Sequence, residues 1–374
     1  MKSSTQTRLG RGGLFAFMSF CLLLSACGSS SSKTADSSAA PQTSVPDSTT
    51  AGTTSTTARD IPVVSSISSA VFPLTGIATV DIQAIARPAL VVKIDNHPLA
   101  RPQSGLNEAD IVFEENVEKL TRFAAVFHSG SSDLVGPIRS GRTQDIAMLG
   151  SLNRPLFAWS GGNARVTAAI AASDLVDLSA LTQQHKPAYF RSKAKKAPHD
   201  LYSKSASLFA FAPADAGPPP AQFTYRAAGA VSAGDAVTGL NLSMDGVKVA
   251  WVWDAPTKLF LRSSDGTTHR DASDNAQLST NNVVVLYVSY KPSPADFKSP
   301  EAQTIGTGNA LVFSDGKVVK ATWSRTERLQ PFALKDSAGG VVALTPGRTF
   351  VELGRIESAA VVPAGTDPKS VRFP

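Results

Sequence analysis

Acid, imidazole, guanidinium and hydroxyl groups recur in five short stretches of this chain. Asp95, Asn96 and His97 are consecutive, Arg101 follows them, and Glu114 and Glu115 are adjacent. Arg139, Ser140 and Arg142 flank a glycine, Ser160 precedes Gly161-Gly162, and His199 lies in a basic loop containing Pro198. Brought together, the arginines would offer planar forks to a carboxylate or a phosphate. Asp95, Glu114 and His199 would then be candidates for acid–base work. Each stretch also has a plainer use. Adjacent residues on a strand face opposite sides, so only one of Glu114 and Glu115 can enter a shared site, and the other is expected in solvent. Asp95-Asn96 before His97-Pro98 can simply be a turn. Ser140 or Thr143 can cap a following helix, and His199 can hold its loop by hydrogen bonds.

Specific catalytic signatures are missing. Ser160 is not the centre of a Gly-x-Ser-x-Gly elbow. There is no His-Glu-x-x-His or Cys-x-x-Cys spacing, so no metal is expected. There is no phosphate loop or dinucleotide fingerprint, so no cofactor is expected. The catalytic residues, if any, stay unassigned, and sugar-cleaving carboxylate pairs cannot be found from spacing because they come from separate strands.

The elements that would position these groups alternate in type. Leu90 to Ile94, Ile111 to Glu115, Phe123 to Phe127 and Leu156 to Trp159 read as strands. Thr143 to Leu152, Ala164 to Ala172 and Leu178 to Gln184 read as helices. The expected architecture is α+β: an N-terminal α/β sandwich over residues 71–211 with a mixed sheet, some connections being too short for crossovers. In such sheets ligands sit beyond strand ends, where the polar stretches fall. Residues 212–222, with Pro218-Pro219-Pro220, read as a semi-rigid linker. Residues 223–374 read as a β-rich domain. Val247, Val249, Trp251 and Trp253 share one strand face and are expected in its core. Further strands are expected at Leu259 to Leu261, Asn282 to Val288, Ala310 to Phe313, Val318 to Trp323 and Thr349 to Leu353. Turn pairs such as Asp245-Gly246 and Asp315-Gly316 punctuate them.

The beginning of the chain fixes an address. Lys2, Arg8 and Arg11 precede a short apolar run from Leu14 to Leu24, too short to span a bilayer but right for a signal peptide. Leu24-Ser25-Ala26-Cys27 then matches a lipobox, so residues 1–26 are expected to be removed and Cys27 lipidated. Two or more acyl chains, palmitate among them, give stable anchoring where one is marginal. Residues 27–70 are built from Ser, Thr, Ala, Pro, Asp and Gly and read as a disordered tether. Losing the leader takes the formal net charge from +6 to +3, which with export argues against nucleic acid. The chain has two cysteines, Cys21 and Cys27, so the body has no thiol chemistry. The apolar stretches after residue 27 are all short, and no second membrane span is expected.

Several motifs occur in order with plausible spacing. They include Lys93-Ile94-Asp95-Asn96-His97-Pro98, Ala100 to Leu106, Ala109 to Glu115, Val135 to Ser140, Ala197 to Tyr202 and Leu344 to Thr349. Together these resemble the YerB-like lipoprotein family, whose two halves are the N-terminal and C-terminal domains of unknown function 3048. The resemblance covers nearly all of residues 71–353. It implies an exported, lipid-anchored protein and supplies no catalytic assignment. The expectation is therefore a lipoprotein on the outer face of the cell membrane that binds an anionic envelope component, such as a cell-wall fragment. Candidate ligand contacts are Asp95, Asn96, His97, Arg101, Glu114, Arg139, Ser140, Arg142, Ser160 and His199. The alternatives are a hydrolase of wall glycans or phosphodiesters, and a protein-interaction scaffold.

Overall fold

Runs of apolar and β-branched residues separated by Asp-Gly and Pro turns dominate the chain, and they fold into sheet. The structure, a computed structural model, describes residues 70–374 apart from Ala228. The leader, Cys27 and the expected tether up to residue 69 lie outside the described residues; Ala70 itself pairs with Thr79. No described helix is long and apolar enough to cross a membrane.

The first half supplies five strands to the main sheet: β1 Leu90–Asp95, β2 Ile111–Val117, β3 Leu120–Phe127, β4 Leu156–Trp159 and β5 Val176–Ser179. Its main helices are α1 Thr143–Met148 and α2 Ala164–Ala171. The second half supplies β6 Asp235–Met244, β7 Val247–Asp254, β8 Leu259–Ser264, β9 Asn282–Tyr287, β10 Gly306–Ser314, β11 Lys317–Arg325, β12 Thr349–Gly354 and β13 Ala359–Pro363. This is the expected α+β fold, with a large mixed sheet and a β-rich second half.

One sheet runs through both halves, in the order β8-β7-β6-β11-β10-β9-β12-β2-β3-β1-β4-β5. The junction is β12 against β2, parallel, with Thr349 opposite Ile111 and Glu352 opposite Glu114. The described residues accordingly belong to one compact unit, and the Pro-rich segment 212–222 runs between two parts of a common sheet. Hairpin turns keep the antiparallel strands in register. Between β10 and β11, Asp315 (φ +54°) and Gly316 (φ +68°) take the left-handed conformations a two-residue turn needs.

Alternation along the strands builds two apolar layers. Val92, Ile94, Phe123 and Phe350 point to one, with Val249 and Trp251 of β7. Val91, Phe113, Ala124 and Val351 point to the other, with Trp159, Val166 and Ile170 covering it. Burial of this kind contributes about 25 cal/mol per Å2 of apolar surface.

Two expectations are corrected. Leu178 to Gln184 is not a helix: Val176–Ser179 forms β5, parallel to β4, and the following residues turn. Leu175 and Leu178 are buried by the sheet, and a short apolar run cannot distinguish strand from helix by period. Neither Ser140 nor Thr143 caps α1. Arg142 holds the cap position, and Asp145 Oδ2 accepts its backbone N–H at 2.7 Å. The Thr143 hydroxyl instead meets Ser293 Oγ at 2.6 Å.

Candidate functional site

Three parallel strands, β1, β4 and β5, end on the same side of the sheet. Beyond their carboxyl ends lies a cleft of about 660 Å3, within the usual range of small-molecule sites. Arg139 and Ser140 follow the crossing after β3, Ser160 and Gly161 follow β4, and Leu181 follows β5. Gly161 has φ +117°, and a Cβ there would come within 2.6 Å of Leu181, so this turn needs glycine. The second half adds one residue, Asp296, from the loop after β9. That loop is tied down by Asn163 Nδ2 donating to Ala295 O at 3.3 Å and Arg142 Nε donating to Ser299 Oγ at 3.1 Å.

Four cations line the cleft: Arg139, Arg142, Lys186 and Arg191, against the single carboxylate of Asp296. They are not equally free. Arg142 also donates to Gly141 O at 3.0 Å and to Glu118 Oε1 at 2.9 Å, so its fork is largely used within the fold. Arg191 pairs with Asp200 at 2.5 Å. The Arg139 side chain makes no hydrogen bond among the described residues. It is held only by charge, its Nε lying 3.3 Å from Asp95 Oδ2.

Asp95 is the pivot behind Arg139. Its Oδ1 accepts the backbone N–H of His97 at 3.0 Å, which is the expected turn. Its Oδ2 pairs with His199 Nδ1 at 2.7 Å. The imidazole of His97 stacks on that of His199, with centroids 4.6 Å apart and planes 18° from parallel. Asp95 and His199 are both buried. Turn, loop clamp and potential acid–base pair are therefore the same atoms.

Below this lies a buried charged layer on the same face of the sheet. Lys93 pairs with Glu115 and, at 2.6 Å, with Asp145, and all three side chains are fully buried. Burial first, and the Asp145 charge second, push the Glu115 carboxyl up against the opposing pull of Lys93. Arg122 donates to Ser140 O at 3.0 Å, and burial together with Arg142 pushes it down to about 10.

Glu114 faces the other way. Its carboxylate pairs with Arg262 of β8, and it accepts from Thr121 Oγ1 at 2.6 Å and Asn96 Nδ2 at 3.2 Å. Arg262 Nη1 reaches His269 Nδ1 at 2.7 Å, His269 Nε2 reaches Gln103 Oε1 at 2.7 Å, and Gln103 Nε2 donates to Asn96 Oδ1 at 3.1 Å. Arg101 joins through Asn96 Oδ1 at 3.0 Å and Asp265 at 2.8 Å. Trp251 Nε1 donates to Glu352 Oε1 at 2.8 Å, and burial followed by the Glu114 charge holds the Glu352 carboxyl well above the ordinary range. Burial, then Arg262 and Arg101, hold His269 far below its ordinary value, so it stays neutral. This network joins the two halves; its centre at Asn96, Gln103, Glu114, Arg262 and His269 is buried, and Arg101 with Asp265 forms its exposed rim.

The ten residues singled out from sequence therefore separate. Arg139, Ser140, Arg142 and Ser160 line the cleft; Asp95, His97 and His199 stand directly behind Arg139; Asn96, Arg101 and Glu114 belong to the network between the halves. Both glutamates are buried, so the expectation that one would be solvated is corrected: each face of β2 meets its own cation, Arg262 of β8 or Lys93 of β1. Sequence reasoning missed Lys186, Phe190 and Arg191 in the cleft, and the Lys93 layer beneath it. The latter had a signal, a lysine inside the apolar run Leu90 to Ile94.

The family described as a protein of unknown function (DUF3048) matches twice, its N-terminal domain over residues 74–217 and its C-terminal domain over 240–351. The chain belongs to this family. A relative named as a lipoprotein, YerB of Bacillus subtilis (strain 168), is 28% identical over 315 residues, covering 78% of this chain and 88% of that protein. The crystal structure of the YerB protein from Bacillus subtilis has the same fold, with a TM-score of 0.68 at 21% identity over 78% of this chain and 99% of that one. The motif residues of the first half now have places: Asp95 and His199 behind Arg139, Gln103 and Glu114 in the buried network.

Proposed function

We propose that this protein is an envelope lipoprotein, anchored at the cell membrane through Cys27, whose cleft binds an anionic envelope component. The lipobox and the lipoprotein relative support the anchor. The observation that carries the binding reading is Arg139: an arginine lining a cleft, its side chain using no hydrogen bond among the described residues and oriented by a buried carboxylate. Such a fork is arranged to meet a carboxylate or phosphate at little ordering cost. Retention of the chain on purified peptidoglycan and anionic wall polymers tests the reading. Arg139→Ala should lower retention about tenfold, roughly 1.4 kcal/mol. Equal retention of variant and wild type, or no retention of either, refutes it. Cys27→Ser should move the chain from the membrane fraction to the soluble one.

One observation favours a second reading, a hydrolase acting on the same ligand. Asp95 bonded to His199 Nδ1 leaves Nε2 as the second nitrogen of an oriented imidazole, the arrangement of a general base. Glu114 drops out of this version, because its oxygens are taken by Arg262, Thr121 and Asn96 on the other face. Loss of the retained polymer's bonds over time in wild type but not in His199→Ala would select this reading. Intact polymer after prolonged contact with wild type selects binding alone.

A further inference from the structure

Two of the large apolar side chains left exposed by the fold line this same cleft: Leu181, 63% exposed, and Phe190, 42% exposed. Single exposed apolar residues are ordinary. Two of them on the wall of a cationic cleft are a feature that anion binding does not use. Phe190 lies on the short strand Tyr189–Arg191, which pairs with Leu201–Ser203. Its ring stacks on Tyr202, with centroids 6.3 Å apart and planes 25° from parallel, and Tyr202 is buried. A ring backed by a buried ring has a fixed orientation, so a ligand face can settle on it with little loss of freedom.

The polar lining narrows the ligand further. Ser140 and Ser160 supply hydroxyl groups, and Asp296 supplies an acceptor. A carboxylate accepts from hydroxyls and repels an anion, so this wall favours a ligand with hydroxyls and one localised charge over one charged along its length. We propose that the cleft takes a sugar bearing one anionic group, a phosphate or a ring carboxylate. The anion meets Arg139 and Lys186, one face of the ring lies on Phe190, and the hydroxyls reach the serines and Asp296. This assignment rests on the anion-binding reading and specifies its ligand class.

Calorimetric titration of the full chain in detergent tests it, with glucose 1-phosphate, glucuronate, inorganic phosphate, glucose and uridine monophosphate as probes. At least one of the two anionic sugars should bind tenfold or more tighter than both inorganic phosphate and glucose. Which one gains identifies the source of the charge. Phe190→Ala should bring the ratio of sugar-anion to phosphate affinity down to about one, and Phe190→Trp should keep it at tenfold or more. Phosphate binding with no gain from the sugar, a gain that survives in Phe190→Ala, or tighter binding of the nucleotide overturns the sugar assignment and leaves anion binding standing. No binding of any anion by wild type overturns the anion reading itself.

Discussion

Asp95 and Asn96 are neighbours in sequence, yet they serve two charged clusters of opposite character. Asn96 enters a buried network in which Glu114, Arg262, His269 and Gln103 pair with one another across the boundary between the two halves, with Arg262 Nε left over. Asp95 enters an open one, in which Arg139 uses a single charged contact and lines a cleft. Buried polar groups that pair with one another specify how parts of a fold meet. An oriented group with unused capacity at a cleft is the kind that meets a ligand. The lesson is that charge at a strand end does not by itself mark a site; the accounting of partners does.

That contrast can be broken most severely at Arg262. Arg262→Ala leaves Glu114 and Glu352 buried with no cation between them, and urea unfolding should show a loss of about 3–5 kcal/mol. A loss under about 1 kcal/mol would contradict that pairing. Asn96→Ala removes the hub shared by Arg101, Gln103, Thr121 and Glu114, and should cost about 1–3 kcal/mol in the same assay. The Lys93 layer sharpens the comparison through pH. Glu115 has its carboxyl raised in the fold from 4.5 to about 7, so the folded chain holds its proton where the unfolded chain has lost it. Stability therefore falls as pH rises from 4.5 through about 7. In Glu115→Gln that part of the decline should vanish, read as the difference between variant and wild-type unfolding curves. His269 acts with the opposite sign, weakening the fold as pH falls below 6.5, and cancels in this difference. Arg139→Ala should have the smallest effect on stability, about 0.5 kcal/mol or less, because Asp95 keeps His199 and the His97 amide. A loss as large as that of Arg262→Ala would place Arg139 among the structural groups.

Strands with consecutive β-branched residues were legible, as at Val283-Val284-Val285, because burial on both faces demands a continuous apolar run. The ten-residue β6 was not. Gly239 interrupts it where the Trp251 carbonyl would sit 1.9 Å from a Cβ, and Asn241 spends its amide on Pro368 O and Val371 O. Its register also shifts between Val237 and Gly239. The union of the halves through β12 and β2 carries no local signal at all, since parallel partners are joined by no turn. In the cleft, Ser160 could be found because it follows β4 directly, and Arg139 and Ser140 because they stand in a Gly-flanked stretch before α1. Lys186 and Phe190 sit on a segment that returns to the cleft after leaving the sheet, and nothing local announces the return.

The central claim is that the open cluster, and not the buried one, meets the ligand. Amide chemical shifts of the isotope-labelled chain, titrated with glucose 1-phosphate, test it most directly. The account predicts saturable shifts at Arg139, Ser140, Ser160, Gly161 and Phe190, with Asn96, Glu114 and Arg262 unmoved. Saturable shifts centred on the Glu114–Arg262 network, or shifts spread over the surface without saturation, would contradict it.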